Sequence, residues 1–185
     1  MSEDRPAFAA QPGPIIRDAT TEDLTAIRSI YAHNVEHGLG SFELEVPSRS
    51  EMRRRFDSIR ASRLPFLVAV EDGEVLGYAY AGPYRARPAY RFTAEDSVYV
   101  WPHAQGRGIG SALLQRLLEQ LRAGGVRQVV AVIGDSENRS SVALHRKLGF
   151  GHVGILRSVG WKHGRWVDTV LMQLQLEARG SDAGP

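Results

Sequence analysis

A glycine-rich turn that leads at once into an apolar helix constrains this chain more than any other segment. Residues 105–125 read QGRGIGSALLQRLLEQLRAGG, with glycines at 106, 108 and 110. Helices usually begin with a Ser, Thr, Asp or Asn cap and carry acidic residues in the first turn. Here no carboxylate occurs between Gln105 and Glu119. The segment therefore predicts a helix whose first N–H groups stay available to an anion such as a phosphate.

The glycine spacing alone does not identify that anion. Gln105, Gly108 and Gly110 match Q-x-x-G-x-G, but the Lys-Ser/Thr pair of a nucleoside-triphosphate loop is missing. Ser111 breaks the G-x-G-x-x-G pattern of dinucleotide-binding folds. A turn shaped only by packing is the alternative. The preceding segment SVYV, residues 97–100, predicts a strand, and an anion site of this kind needs a strand, a loop and a helix in that order.

Apolar periodicity predicts the elements β-α-α-β-β-β-α-β-α-β-β between residues 15 and 176. Asp72-Gly73 is typical of a hairpin turn, because glycine adopts the positive φ that such turns need. No repeat or linker interrupts this range, so we expect a single domain over residues 15–176. Residues 1–14 and 177–185 are predicted to be flexible tails.

Composition excludes several function classes. The chain has no cysteine, which excludes a disulfide, a thiolate metal site and a cysteine nucleophile. A formal net charge of +2 gives little support to nucleic-acid binding, and the arginines at 53–55 are predicted to lie on a solvated helix face. Without a membrane-length apolar run or a signal peptide, we expect a cytoplasmic protein with no membrane partner. His33 and His37 have metal-compatible spacing but no evident third ligand, so we expect no metal.

Four segments resemble the GNAT superfamily of acetyl-CoA-dependent N-acetyltransferases: EDSVYV, QGRGIG, VVAVIG and NRSSVALHRKLGF. Two longer ones, YAYAGPYRARPAYRFTAEDSVYV and VGWKHGRWVDT, resemble its phosphinothricin / methionine sulfoximine N-acetyltransferase branch. The resemblance extends over about residues 15–176. It implies an α/β fold with a mixed, largely antiparallel seven-stranded sheet, flanked by helices and splayed at strands 4 and 5 to admit acetyl-CoA.

The resemblance also implies where acetyl-CoA, the co-substrate, would bind. Its pantetheine arm would pair with the backbone of the fourth strand as an added strand does. Its pyrophosphate would lie on the N–H groups of the glycine turn, and the residue that opens the later helix would contact the pantetheine. The implied residues are Val98, Tyr99, Val100, Gln105, Gly106, Arg107, Gly108, Ile109, Gly110, Ser111 and Asn138.

Acetyl transfer to an amine needs a base for the acceptor's ammonium group and a hydrogen-bond donor for the oxyanion. Strand alternation places Glu95 on one face and Asp96 on the other. By pattern alone Glu95 is an exposed strand-edge acid or a base; the resemblance implies the base. The N–H of Val100 is a candidate oxyanion donor. His145 replaces the Tyr of many GNAT proteins, as in the phosphinothricin branch, and is either a structural histidine or a catalytic group near the reacting centre.

An amino-acid-like acceptor presents a carboxylate, which arginine binds through paired donors. The candidate acceptor residues are Arg85, Arg87 and Tyr90, before the fourth strand, and Phe42 in GSFELE. Solvated loop arginines are the alternative for the first two. The resemblance implies a small-molecule acceptor such as phosphinothricin, methionine sulfoximine or methionine sulfone. Another amine (a different amino acid, a polyamine, an aminoglycoside or a protein N-terminus) and a non-catalytic acetyl-CoA sensor are the alternatives.

The same resemblance implies a homodimer in which the last strands lie near the neighbouring subunit. Trp161, Trp166 and Val170 are the residues that would supply this contact. Packing within one chain explains these three apolar residues equally well.

Overall fold

The computed structural model describes residues 13–176, and its elements follow the predicted order. The strands are β1 (Ile15–Asp18), β2 (Phe66–Glu71), β3 (Glu74–Pro83), β4 (Thr93–Val100), β5 (Gln128–Gly134), β6 (Gly151–Lys162) and β7 (Arg165–Gln175). The helices are α1 (Leu24–His37), α2 (Arg49–Ala61), α3 (Ile109–Ala123) and α4 (Arg139–Lys147). Short 3₁₀ helices occur at Thr21–Asp23, Pro88–Tyr90 and Pro102–Ala104.

The seven strands form one sheet in the order β1-β2-β3-β4-β5-β7-β6. Each pair of neighbours is antiparallel except β4 and β5, which run parallel. Their ladder joins Thr93–Asp96 to Gln128–Ala131 and then ends, so the remaining parts of both strands diverge. The predicted α/β fold, with a largely antiparallel sheet splayed between its fourth and fifth strands, is confirmed.

Helices cover both faces of the sheet and create two separate cores. On one face, Ile27 of α1 and Phe56 of α2 pack against Tyr78 of β3. On the other face, α3 buries a stripe that includes Leu113 and Leu117, both fully inaccessible to solvent. Burying one leucine side chain contributes about 1.5–3 kcal/mol, so this stripe fixes the orientation of α3 and of the turn that precedes it.

Two element ends have local causes. Asp23 accepts a hydrogen bond from the backbone N–H of Thr20 at 2.7 Å and binds the guanidinium of Arg17, also at 2.7 Å. These contacts stabilise the 3₁₀ turn Thr21–Asp23, and α1 begins directly after it at Leu24. The fourth strand ends at Val100, because Pro102 begins the next turn and has no N–H to continue the ladder.

The edge strand β6 contains a bulge between Leu156 and Gly160. Ser158 has a φ of +52° there, and its N–H donates to Asp168 Oδ1 of β7 at 2.8 Å. The other oxygen of this carboxylate accepts a hydrogen bond from Ser136 Oγ at 2.9 Å. Bulges redirect the side chains that follow them, so Asp168 determines where the last residues of β6 face.

The described range carries only part of the predicted tails. Gly13 and Pro14 belong to no helix or strand, and residues 1–12 and 177–185 lie outside the description. Over residues 13–176, none of the helices combines the length and the apolar character that a membrane span requires.

Candidate active site

A cleft of about 450 Å³ opens where β4 and β5 diverge. Its floor lies at Asp96 and Ala131, the last residue pair of the parallel ladder. The beginnings of α3 and α4 form its sides. The cleft therefore combines an exposed strand edge with two helix N-termini, which together offer backbone donors to an extended ligand.

The register of β4 decides which backbone groups face this cleft. The N–H of Trp101 donates to Leu76 O of β3 at 2.9 Å. Because backbone groups alternate in direction along an antiparallel strand, Tyr99 also bonds towards β3, and Val98 and Val100 direct their N–H and C=O groups the other way. These two residues can hydrogen-bond a linear amide-containing ligand, and the N–H of Val100 remains a candidate oxyanion donor.

The turn before α3 presents bare N–H groups at the mouth of the cleft. Gly106 and Gly108 have φ values of +75° and +81°, a conformation that other L-residues adopt only with strain. The first helical bond of α3 runs from Ala112 N–H to Gly108 O at 3.0 Å, so the N–H groups of residues 109–111 have no partner within the helix. This geometry suits a phosphate group.

Most of the predicted cofactor residues line the cleft together. The exception is Arg107, whose guanidinium is paired with Glu71 at 2.7 Å. Asn138 caps α4, and its Oδ1 accepts the N–H of Ser141 at 3.2 Å. The cleft residues from the predicted set are Val98, Tyr99, Val100, Gln105, Gly106, Gly108, Ile109, Gly110, Ser111 and Asn138.

Glu95 is half-buried on the sheet face that α1 and α2 cover. It pairs with Gly82 of β3, and Tyr80 of the same strand lies close by with a hydrogen bond to Ser97. Burial raises the pKa of Glu95, and the negative charge of the adjacent Asp96 raises it further. A carboxylate with a raised pKa is a better proton acceptor, which is the property that a general base requires.

Asp96 lies on the opposite face and binds His145, a contact that sequence reasoning missed. Oδ2 of Asp96 is 3.0 Å from Nε2 of the histidine, whose Nδ1 donates to Ser141 O at 2.7 Å. His145 is only 4% exposed. Burial lowers the pKa of His145, but the hydrogen bond and the charge of Asp96 outweigh it, so that the pKa is raised. Both ring nitrogens are engaged, although His145 lines the cleft.

The candidate acceptor residues of the loop before β4 remain on the surface. Arg85, Arg87 and Tyr90 are exposed, and none of them lines the cleft. The guanidinium of Arg85 lies over the ring of Tyr84, 5.1 Å from its centre. Tyr90 also packs edge-on against Tyr84, with ring centres 5.7 Å apart. The loop thus presents Arg85 and Arg87 to solvent beside the strand that carries Glu95.

Phe42 lies in the connection between α1 and α2, close to the open end of the cleft. Gly40 of this connection lines the cleft, and the Phe42 ring packs over Gly134 of β5 and Gly160 of β6. The ring is 39% exposed, so one side of it remains accessible.

The arginines at 53–55 of α2 were predicted to lie on a solvated helix face, but Arg55 forms ion pairs that hold it in place. Arg55 binds Glu43 at 2.6 Å and Glu51 at 2.7 Å, which makes it a bridge between α2 and the α1–α2 connection. Arg54 and Arg55 also border a second cavity of about 240 Å³ on the Glu95 face, beside Tyr31 and Tyr80. Glu51 and Arg55 have the i,i+4 spacing of neighbours on a helix surface, whereas the contact with Glu43 depends on the fold.

Comparison with known proteins agrees with this geometry. The sequence profile of the Acetyltransferase (GNAT) family matches residues 25–150. The chain belongs to this family.

Within the family, the chain is similar to enzymes that modify amino acid analogues. It is 51% identical to a phosphinothricin N-acetyltransferase of Alcaligenes faecalis, covering 89% of this chain and 82% of that one. It is 39% identical to an L-methionine sulfoximine/L-methionine sulfone acetyltransferase of Salmonella typhimurium, covering 88% and 94%. The crystal structure of a phosphinothricin acetyltransferase from Sinorhizobium meliloti in complex with AcCoA has a TM-score of 0.89, 44% identity and 94% coverage of both chains.

Proposed function

We propose that this protein transfers the acetyl group of acetyl-CoA to the amino group of a small amino acid analogue of the phosphinothricin or methionine sulfoximine type. The observation that carries the proposal is the end of the parallel ladder at Asp96 and Ala131. It opens a cleft beside the strand that carries Glu95, with the bare N-terminus of α3 at its mouth. Similarity to enzymes named for these acceptors supports the choice of substrate.

The cleft fits acetyl-CoA group by group. The N–H groups at the start of α3 bind the diphosphate, and the outward backbone groups of Val98 and Val100 bind the pantetheine amides. Asn138 lies opposite β4 and closes the cleft from the α4 side. Acetyl-CoA supplies a thioester carbonyl: the neutral amine adds to its carbon, and the carbon–sulfur bond then breaks so that coenzyme A leaves as a thiolate, which takes up a proton from solvent.

Glu95 removes the proton that the acceptor's ammonium group must lose before it can attack. The raised pKa of Glu95 suits this role, and so does its position on the sheet face that α1 and α2 cover. The N–H of Val100 donates to the oxygen on which negative charge develops. Both ring nitrogens of His145 are already engaged by Asp96 and Ser141, so in this proposal proton removal belongs to Glu95.

The acceptor binds on the Glu95 face. Phe42 supplies an apolar wall, and Arg87 and Tyr90, both exposed in the loop before β4, bind the acceptor's anionic groups. Arg85 is the weaker participant because its guanidinium already lies on Tyr84. Loop arginines attract an anionic small molecule and disfavour a polyamine or another cationic acceptor.

We also propose that the chain is a cytoplasmic homodimer. The edge strand β6 and its neighbour β7 expose apolar residues that include Trp161 and Trp166, 56% and 62% exposed. A contiguous apolar surface of this kind is typical of a subunit interface. Val170, the third residue predicted for this contact, is buried within the chain and is not part of the surface. Sedimentation equilibrium of the purified protein tests the dimer, and a monomer mass at micromolar concentration would contradict it.

The variant Glu95→Gln tests the proposed base. It keeps the size of the side chain and one acceptor oxygen but replaces the carboxylate with a neutral amide that cannot accept the proton. Turnover with phosphinothricin should fall by roughly 10²–10⁴-fold, the usual scale for the loss of a general base. The measurement is the initial rate of thiol release from acetyl-CoA at saturating acceptor.

Glu22→Gln is the matched control, because Glu22 is exposed in the turn before α1. It should keep the full rate. Coenzyme A binding, measured by calorimetry, should be unchanged in both variants. Equal turnover of the Glu95→Gln variant and the wild type would remove Glu95 from the mechanism.

A further inference from the structure

We propose that Gly160 and Lys162 of β6 fix the position of Phe42 and thereby determine which acceptor side chains the enzyme takes. This inference rests on the proposed function, since it concerns the acceptor of that reaction. It assigns a role in specificity to two residues that lie outside the cleft and far from the catalytic strand in sequence.

The first observation is the seat of the Phe42 ring. A Cβ added to Gly160 would lie 2.7 Å from Cδ2 and 2.9 Å from Cζ of this ring, and closer still to Cε2. A Cβ on Gly134 would lie 3.1 Å from Cε1 of the same ring. Gly160 does not have a positive φ, so its backbone would accept any residue and only the ring requires a glycine there. At Gly160 the missing side chain therefore leaves space for the Phe42 ring, whereas at Gly134 the backbone oxygen of Leu39 lies closer than the ring does.

The second observation is a buried cation on the same strand. Lys162 is only 2% exposed, and its Nζ donates to Ser41 O at 2.6 Å. This carbonyl belongs to the peptide that leads into Phe42. Burial lowers the pKa of Lys162, and the charge of nearby Glu43 opposes this effect only in part. A lysine ammonium is rarely buried without a structural reason, and the reason here is the attachment of the α1–α2 connection to β6.

The third observation connects this seat to the acceptor side of the sheet. The hydroxyl of Ser41 hydrogen-bonds Tyr31 OH at 2.9 Å. Tyr31 packs edge-on against Tyr99, with ring centres 5.3 Å apart, and Tyr99 shares the strand face of Glu95. The segment from Gly40 to Glu43 thus lies between the cleft and the face on which the base acts. A shift of the Phe42 ring would alter the wall that an acceptor side chain meets.

The bulge in β6 explains how both residues come to face the connection. Asp168 holds Ser158 in its left-handed conformation, and the register is restored at Gly160. Beyond the bulge, alternate residues share a face, so Gly160 and Lys162 project to the same side. The space for the Phe42 ring at Gly160 and the buried Lys162 therefore both result from the bulge in β6.

Thermal unfolding tests the seat without any substrate. Gly160→Ala should lower the melting temperature, and most of this loss should disappear when Phe42→Ala is present, because the added methyl group then has space. Gly154→Ala is the matched control: the residue lies on the same strand, and an added Cβ would have no atom within 4 Å. It should change nothing. Equal losses from Gly160→Ala with and without the Phe42 ring would overturn the proposal.

Steady-state kinetics test the consequence for specificity. Gly160→Ala and Lys162→Met should each lower kcat/KM for methionine sulfoximine by about 10- to 10²-fold, the scale of a misplaced positioning group, chiefly through the KM of the acceptor. The ratio of this value to that for a larger amino acid should change, while the KM for acetyl-CoA should stay within about twofold.

The two ways of failing are distinguishable. If wild-type protein acetylates no amino acid analogue, the proposed function fails, and the unfolding cycle still decides whether the seat exists. If the wild type is active but both variants keep its acceptor preference, the inference fails and the proposed function stands. An equal rise in the KM of both substrates would indicate general loosening and would also overturn the inference.

Discussion

At the scale of single residues, the two neighbouring carboxylates of β4 have different environments because strand alternation separates them. Glu95 is half-buried among tyrosines on one face, and Asp96 is buried against His145 on the other. Asp96 Oδ1 has no hydrogen-bond partner among the described residues. The unneutralised part of this charge acts through the strand on Glu95 and helps to raise its pKa.

The variant Asp96→Asn tests this electrostatic link. The proposed base acts in its charged form, so activity is expected to fall as the pH falls through the raised pKa of Glu95. Removing the adjacent charge should lower that pKa and move the acidic limb of the kcat/KM profile to lower pH. The apparent pKa of this limb should stay above the ordinary glutamate pKa of about 4.3, because burial is the larger cause of the raised pKa and remains in the variant.

Two controls separate this shift from other titrations. The acceptor's own amine also titrates, and its limb should not move in the variant. Asp57→Asn, an exposed change in α2, should leave the whole profile in place. An acidic limb that is the same in the Asp96→Asn variant and the wild type would refute the coupling between the two carboxylates.

At the scale of elements, the start of α3 is the part of the candidate site whose conformation depends least on the rest of the fold. Gly106 and Gly108 adopt the left-handed conformation, the first turn has no acidic residue, and the buried leucine stripe fixes the direction of the helix. These properties are local, so the sequence was sufficient to predict them. The unpaired edge of β4 completes the site from the neighbouring element.

Gly108→Ala tests the helix start against a matched substitution elsewhere. Gly108 and Gly73 have φ values of +81° and +80°, and neither has an atom within 4 Å of an added Cβ. Both substitutions should therefore cost about 1–2 kcal/mol of stability. Only Gly108→Ala should weaken coenzyme A binding, by about tenfold, because only there does the strain redirect N–H groups that face a phosphate. Equal affinities of the two variants, measured by calorimetry, would remove the glycine turn from the binding site.

Sequence reasoning predicted the contacts that depend on local pattern and missed those that depend on distant partners. The order of elements and the face of Glu95 follow from periodicities of two and of about four residues, and the turn before α3 follows from its glycines and its lack of acidic residues. The pair of Asp96 and His145 joins residues 49 apart, and the bond from Lys162 to Ser41 spans 121. No local pattern encodes either contact, because each depends on how strands from different parts of the chain become neighbours.

At the scale of the whole molecule, the sheet divides the proposed reaction between its two faces. The cofactor cleft opens beside α3 and α4, whereas Glu95, Phe42 and the loop before β4 belong to the side of α1 and α2. The splay between β4 and β5 is the passage that joins them. In the proposed reaction, acetyl-CoA and the acceptor therefore bind from different sides and meet where the parallel ladder ends.

The initial rate of thiol release from acetyl-CoA, compared across amines, tests the central claim most directly. Phosphinothricin and methionine sulfoximine should each give saturable turnover above the rate without amine. Spermidine and a peptide with a free N-terminus should give only the background rate. Background rates with every amine, despite measurable coenzyme A binding, would indicate a sensor, and the highest rate with spermidine would contradict an anionic small-molecule acceptor.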